Sequence, residues 1–373
     1  MPEIQHKFDD SYFVGNNFKK AQHPDRDHVP AYQTNHLTGL PAMPDRLEQL
    51  HIWICKSLGM NDYKLQPASG DASFRRYFRL QFGIQSFIVM DVPPDRESCE
   101  PFIDIANRLL ATGVHVPEIL EVDTANGFIL LSDLGSCLYL AGLNDENADT
   151  LYDDALAALL TIQQRADITN MPLYSDSLLQ SEMNLFTDWL LGRHLKIHLN
   201  DDQRHTLNNV FDMLKENALT QPQVFVHRDY HSRNLMVCEE HNPGILDFQD
   251  AVIGPVTYDL VSLLKDCYIK WPPDKVNAWA LDFYYQLDKS EFDESRFLRW
   301  FDLMGVQRHL KASGIFARLY HRDNKNGYLK DIPRTLSYIT DLQADYPELG
   351  FLIALLNNDV IPALEGASQE CAP

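Results

Sequence analysis

The sequence predicts an α+β chain in two lobes: a small N-terminal region of antiparallel strands, then a larger, mostly helical C-terminal region. Three observations predict it. Apolar runs of strand length at 77–80, 86–90 and 128–131 cluster before residue 134, interrupted by one helical stripe. Beyond the polar crossover, apolar residues recur at helical spacing. One stretch, 224–250, breaks that helical rule with three short apolar runs separated by polar residues.

Residues 1–43 are rich in Asn, Asp, His and Pro without sustained periodicity and read as a flexible N-terminal extension. From Pro44, Leu47, Leu50, Ile54 and Leu58 share a helical face, with Gly59 placed to end it. Two strands follow, stopped by Pro93-Pro94. Phe102, Ile105, Ala106, Leu109 and Leu110 make the stripe closed by Gly113, and the run at 128–131 ends at Asp133-Leu134-Gly135. The first lobe therefore spans 44–134 and the second 135–373. In the second, Leu151, Ala155, Leu159 and Ile162 form one helical face, and Leu207, Val210, Phe211 and Leu214 another behind an Asp201-Asp202 cap. Further helices are expected at 278–287, 297–319 and 346–356.

At 373 residues the chain is long enough for two apolar cores. Its formal charge of −21 excludes a non-specific nucleic-acid binder, because phosphate backbones attract the opposite sign. Any nucleotide site here must assemble its own positive field from arginines, backbone N–H groups or a bound cation. The six cysteines are scattered without C-x-x-C spacing, so neither a zinc site nor a disulfide framework is expected. The N-terminus lacks a signal-peptide core, and no apolar run approaches the roughly 18 residues that span a bilayer. A cytoplasmic protein without a membrane partner is expected.

The exceptional segment carries the chemistry. Val224-Phe225-Val226 reads as a buried strand running into His227-Arg228-Asp229-Tyr230-His231-Ser232-Arg233-Asn234. Leu235-Met236-Val237 and Ile245-Leu246-Asp247-Phe248 then flank a turn-rich stretch ending in Pro243-Gly244, the pattern of a β-hairpin. Antiparallel pairing sets the start of one strand against the end of the other. Asn234 thus falls near Asp247, while Asp229 hangs on the loop leading in. Those residue types suit phosphoryl transfer. A carboxylate with an amide carbonyl offers two oxygen ligands to Mg²⁺. A separate carboxylate orients an acceptor hydroxyl and takes its proton. Positioning and charge neutralisation do the rest.

On this His-x-Asp-x₄-Asn, hairpin and apolar-Asp-Phe pattern, the sequence resembles the aminoglycoside-phosphotransferase and choline-kinase superfamily, a small-molecule branch of the protein-kinase-like fold. The resemblance starts at about residue 45 and reaches the C-terminal region. It implies ATP as donor, Mg²⁺, Asp229 as catalytic base, Asn234 and Asp247 as metal ligands, and Asp259 as a brace for the catalytic loop. Within the superfamily the chain looks most like the bacterial anomeric kinases for N-acetylmuramate and N-acetylglucosamine. That likeness rests on residues 227–236, on Leu246-Asp247-Phe248-Gln249-Asp250-Ala251 with Gly254-Pro255, and on residues 259–268. It rests also on Gln307-Arg308-His309-Leu310-Lys311, Gly314-Ile315-Phe316-Ala317-Arg318, Gly327-Tyr328-Leu329 and Asp331-Ile332-Pro333-Arg334. It implies phosphorylation of an amino sugar's anomeric hydroxyl in cell-wall sugar recycling.

On the nucleotide side, residues 68–77 lie where a phosphate-covering loop belongs. Gly70 permits close backbone approach, and Ser73 or Arg75 reaches phosphate oxygens; a plain hairpin turn fits the same residues. By fold analogy the backbone of Ser132, Asp133 and Leu134 meets adenine. The strand at 87–91 lacks a phosphate-pairing lysine. Either Arg75, Arg76 or Arg79 supplies that charge or phosphate binding is weak, and Glu100 and Asp104 are partner acids or merely exposed. His227 reads as a loop brace. His231 and Arg233 face the acceptor or the γ-phosphate, with a structural ion pair the other reading of Arg233. Asp250 accepts from a sugar hydroxyl or caps the next segment. Trp271, beside Pro272-Pro273, reads as packing before sugar stacking. Arg308, His309 and Lys311 read as a solvated or ion-paired helical face before a contact to an anionic substrate. Two other functions fit: a phosphotransferase for aminoglycosides or amino alcohols, which the acidity suits, and a non-catalytic pseudokinase, which the missing lysine suggests.

Overall fold

The computed structural model describes residues 45–59, 61–69, 75–287 and 292–370. The expected extension at 1–43, with Gly70 and Ser73, lies outside them. Helix α1 (Arg46–Ser57) precedes strands β1 (Lys64–Ser69), β2 (Arg76–Phe82) and β3 (Gln85–Asp91), then helix α2 (Glu100–Thr112), β4 (Ile119–Asp123) and β5 (Phe128–Ser132). The strands form one antiparallel sheet in the order β1-β2-β3-β5-β4.

Side chains alternate across a strand, so each face takes every second residue. Val89, Phe128 and Leu130 pack with Leu50, Trp53 and Ile54 of α1. Met90, Ile129 and Leu131 pack on the other face with Phe102, Ile105 and Leu109 of α2. Gly113 adopts φ 90° and ends α2, returning its N–H to Leu110 O.

The helical lobe follows the crossover: α3 (Tyr139–Gly142), α4 (Ala148–Arg165), α5 (Asp176–Leu185) continued by a π-helical stretch Phe186–Leu195, and α6 (Asp201–Leu219). Four short strands come next, β6 (Gln223–Val226), β7 (Leu235–Met236), β8 (Gly244–Ile245) and β9 (Val252–Pro255). Helices α7 (Tyr258–Leu264), α8 (Pro273–Tyr284), α9 (Glu294–Asp323), α10 (Ile332–Thr340), α11 (Gly350–Leu355) and α12 (Ile361–Glu370) complete the described chain. β6 pairs with β9 and β7 with β8, both antiparallel. The hairpin expected between Leu235 and Ile245 is therefore present. From Glu48 on, the described residues pack as one compact unit.

Several expectations shift. α6 is capped by Asn200, which exchanges hydrogen bonds with Gln203 in a capping box, while Asp201 and Asp202 sit in the first turn. α8 begins at Pro273 and not near 278, because proline is at home in a helix's first turn. The last expected helix does not stop at 356 but continues through a π turn to Glu370. That segment, Pro347–Gly366, is long and apolar enough to cross a membrane by length and composition, contrary to the sequence reading. Here Leu349, Leu352, Ile353, Leu356 and Val360 are buried in the helical core.

α9 runs through the middle of the helical lobe and is buried on nearly every side. Gly314 is the reason it approaches α5 so closely: a Cβ there would land on the backbone of Leu185 and Phe186. Gly314→Ala should therefore cost roughly 2–3 kcal/mol, read as a lower urea midpoint at unchanged slope. Wild-type stability would show that the two helices are not in contact there.

Candidate functional site

The loop 227–234 hangs between β6 and β7, and buried acceptors fix its backbone. Asp259 of α7 accepts the N–H groups of His227 (2.6 Å) and Arg228 (3.0 Å). The expected brace is in place. Burial pushes the Asp259 carboxyl up to about 7 against these two donors. Asp266 accepts from the N–H (3.0 Å) and hydroxyl (2.5 Å) of Ser232. With both ends held, Arg228 adopts φ 76°, in the left-handed region that side chains avoid, and delivers Asp229 to the cleft. The Asp229 N–H donates to His227 Nδ1 (3.2 Å), which needs a neutral ring. Burial, pushing the His227 pKa down to about 4, keeps it neutral.

The hairpin register brings the other two acidic and amide groups together. Leu235 pairs with Ile245, and Leu246 N–H donates to Asn234 O (2.9 Å). Asn234 Nδ2 then reaches Asp229 O (3.0 Å) and Asp247 Oδ2 (3.4 Å). Asp247, at φ 63°, accepts a second bond from Gln249 Nε2 (2.9 Å). Phe248 beside it stacks on Phe102 of α2 with ring centres 5.0 Å apart, tying the loop to the sheet lobe.

Asp229, His231, Arg233, Asn234 and Asp247 line one cleft of about 550 Å³ together with Ser132, Asp133, Leu134 and Gly135. Arg79 clamps that crossover by donating from Nε (2.7 Å) and Nη2 (3.0 Å) to Asp133 and from Nη2 to Gly135 O (2.5 Å). The three arginines expected to replace the missing lysine are thus engaged by acids: Arg75 pairs with Glu97, Arg76 with Asp91 and Arg79 with Asp133. Arg75 is not among the residues lining the cleft. Glu100 is exposed and Asp104 pairs with Arg108 on its own helix. Arg233 differs. Its guanidinium lies over the rings of Tyr268 (4.8 Å) and Tyr328 (5.1 Å), and no carboxylate among the described residues pairs with it. The structural-ion-pair reading of Arg233 is therefore set aside.

A smaller cavity of about 90 Å³ adjoins the cleft at Asp229 and His231. Its wall includes Arg228, Arg308 and Lys311. The 308–311 face of α9 is accordingly buried, not solvated. Lys311 Nζ pairs with Glu182 Oε1 (3.0 Å) and donates to Tyr258 Oη (2.8 Å), and Arg228 Nη2 donates to Glu182 Oε1 (2.5 Å). Burial raises the Asp229 carboxyl, but the nearby positive charge, that of Lys311 first and Arg228 after it, outweighs it and leaves the carboxyl below its ordinary range. Sequence reasoning missed Glu182; the spacing of Leu179, Met183, Phe186 and Leu190 was the available signal for its helix. Asp250 is exposed and lines neither cavity; its backbone oxygen accepts from Arg228 Nη1 (3.3 Å), and its carboxylate has no partner among the described residues. Trp271 is buried and donates to Tyr152 Oη (2.9 Å), as packing. His309, buried, is spent on Lys265 O (2.8 Å).

Comparison with known proteins decides the family. The model of the phosphotransferase enzyme family matches residues 64–298. The chain belongs to that family. It is 47% identical over 329 residues to the N-acetylmuramate/N-acetylglucosamine kinase of Pseudomonas aeruginosa, covering 83% of this chain and 96% of that relative. Among solved structures, the choline kinase LicA from Streptococcus pneumoniae superposes with a TM-score of 0.59 at 12% identity, over 80% of this chain and 100% of that one. ADP-bound aminoglycoside phosphotransferase APH(2'')-Ib gives 0.54 at 14%, over 80% and 98%. At such identities these two show the fold, which is kinase-like. The chain is an ATP-dependent small-molecule kinase.

Glu182 carries a stability prediction for this kinase. Its carboxyl is pushed up by burial but drawn further down, below the ordinary 4.5, by Lys311 and then Arg228. As pH falls the unfolded chain binds that proton first, so the stabilisation is full above the ordinary carboxyl range and lost below it. Glu182→Gln should cost roughly 3 kcal/mol at neutral pH by leaving two cations unpaired. The gap to wild type should close below about pH 4, followed by chemical denaturation across pH. A gap independent of pH would refute the ion-pair account.

Proposed function

We propose that the kinase transfers the γ-phosphoryl group of ATP to the anomeric hydroxyl of N-acetylmuramate or N-acetylglucosamine, in cell-wall sugar recycling. One observation carries the reading: Asp229, Asn234 and Asp247 share a single cleft with the crossover 132–135. The name of the 47% identical relative supports the acceptor. In this reading Ser132 and Leu134 offer backbone groups to adenine and Arg233 pairs with phosphate oxygens. The sheet-bearing lobe ends at residue 134, the helical lobe runs from 135, and the protein works in the cytoplasm.

Asp229 stays ionised, so its carboxylate accepts the hydrogen bond of the acceptor hydroxyl and aligns that oxygen on the γ-phosphorus. As the new O–P bond forms and the bond to ADP breaks, the hydroxyl proton passes to Asp229. His227, neutral and accepting from the Asp229 N–H at Nδ1, holds the loop and takes no part in the proton transfer. Mg²⁺ fits the Asn234–Asp247 pair. Both Asn234 Nδ2 bonds go to the loop and to Asp247, and its amide oxygen has no hydrogen-bond partner among the described residues. An amide oxygen beside a carboxylate is the hard donor set this ion prefers. Bound there, the ion would neutralise charge on the phosphates.

The wall of Arg228, Arg308 and Lys311 opposes a polycationic aminoglycoside as acceptor. The converging Asp229, Asn234 and Asp247 oppose a pseudokinase. Coupled ADP release with each sugar, and NMR of the product for phosphorus coupling at the anomeric carbon, tests the proposal. Asp229→Asn should lower kcat at least about a thousandfold with the fold retained. Turnover of neither sugar would sink the reading. Arg233→Met should raise the KM for ATP by roughly tenfold; an unchanged KM would remove Arg233 from the phosphate site.

A further inference from the structure

Arg308 stands apart from the other cations of the active-site region. Its residue is 5% exposed, in the middle of α9, and it lines the small cavity beside Asp229. Arg228 and Lys311 on the same wall share Glu182. No carboxylate among the described residues lies within ion-pair reach of Arg308, whose one hydrogen bond goes from Nη1 to the Cys267 sulfur at 3.5 Å. A thiol is a weak acceptor, so most of a five-donor guanidinium is left unspent. A buried cation without a partner is costly, and proteins place such groups where an anion arrives. A second polar atom is left over at the same cavity: His231 Nδ1 is buried and has no hydrogen-bond partner among the described residues.

Position selects the anion. Ser132, Leu134, Asn234 and Asp247 line only the larger cleft, Arg308 and Lys311 line only the smaller cavity, and Asp229 lines both. The smaller cavity therefore belongs to the acceptor and not to the nucleotide. Its volume of about 90 Å³ suits a carboxylate and its neighbouring atoms, not a second sugar ring. We propose that this cavity is an anion subsite in which Arg308 anchors a carboxylate carried by the acceptor. It thereby distinguishes N-acetylmuramate, whose lactyl ether ends in a carboxylate, from N-acetylglucosamine, which has none. The inference rests on the sugar-kinase reading. With the neutral sugar bound, water takes the carboxylate's place against Arg308.

Steady-state kinetics of Arg308→Met and Arg308→Lys with both sugars at saturating ATP test it. For the Met variant, kcat/KM for N-acetylmuramate should fall roughly 10- to 100-fold, mostly through KM, and that for N-acetylglucosamine should stay within about threefold. The Lys variant should recover part of the loss. Thermal unfolding checks that both variants fold; if the Met variant does not, a KM rise confined to N-acetylmuramate in the Lys variant carries the test. Equal losses on the two sugars, a rise in the KM for ATP alone, or no change would each overturn the subsite. Should the wild type turn over neither sugar, the sugar-kinase reading fails separately. D-Lactate binding by calorimetry then decides for the cavity: binding that Arg308→Met abolishes supports it, and no binding overturns it.

Discussion

Asp229 is held as an anion between the cleft and the smaller cavity because Lys311 of α9 fixes a positive charge on the wall of that cavity. Burial alone would push that carboxyl up. Lys311 is in turn held by Glu182 of α5 and Tyr258 of α7, and α7 also supplies Asp259 to grip the loop that carries Asp229. One carboxylate thus depends on three helices far apart in sequence. This explains why α9 is buried almost all round and yet carries Gln307, Arg308, His309 and Lys311 at its centre. It also explains Gly314. Only where α9 meets the α5 backbone directly does Glu182 lie close enough to serve both Lys311 and Arg228.

The sheet lobe handles charge differently. Arg75, Arg76 and Arg79 all end on carboxylates, which stiffens β2, β3 and the crossover but cancels their charge. Arg233 is steadied by two tyrosine rings. An aromatic face orients a guanidinium without neutralising it, because the attraction comes from the ring's quadrupole and not from a counter-charge. A chain of net charge −21 that lacks the usual strand lysine in this way keeps the charge of Arg233 undiminished on the wall of its cleft.

What the sequence disclosed follows the range of each interaction. The hairpin, and with it the meeting of Asn234 and Asp247, depends on neighbours within about a dozen positions, so turn residues and apolar runs expose it. The stripes of α1, α2, α4 and α6 are equally local. Glu182 meets Lys311 across 129 positions (311 − 182) and Arg228 across 46, and nothing in the local pattern of residues 176–195 announces a buried acid. β4 and β9 escaped notice because five and four residues are too few to show alternation. The polar run at 307–311 misled for a related reason. Periodicity treats charged residues as surface, whereas a helix through the centre of a lobe has no surface to offer them.

Net charge resides mostly on exposed carboxylates, whose field is screened beyond about 10 Å at 0.1 M salt. Arg308 and Lys311 are buried and Arg228 is half-buried, and there a fixed charge acts at a lower effective dielectric. Glu182 answers two of the three. An anion reaching the cavity is therefore met by the third at short range, whatever the chain's overall sign. The acidity that by composition suits a cationic acceptor describes the solvated surface, and Arg228, Arg308 and Lys311 reverse it in the cavity beside Asp229.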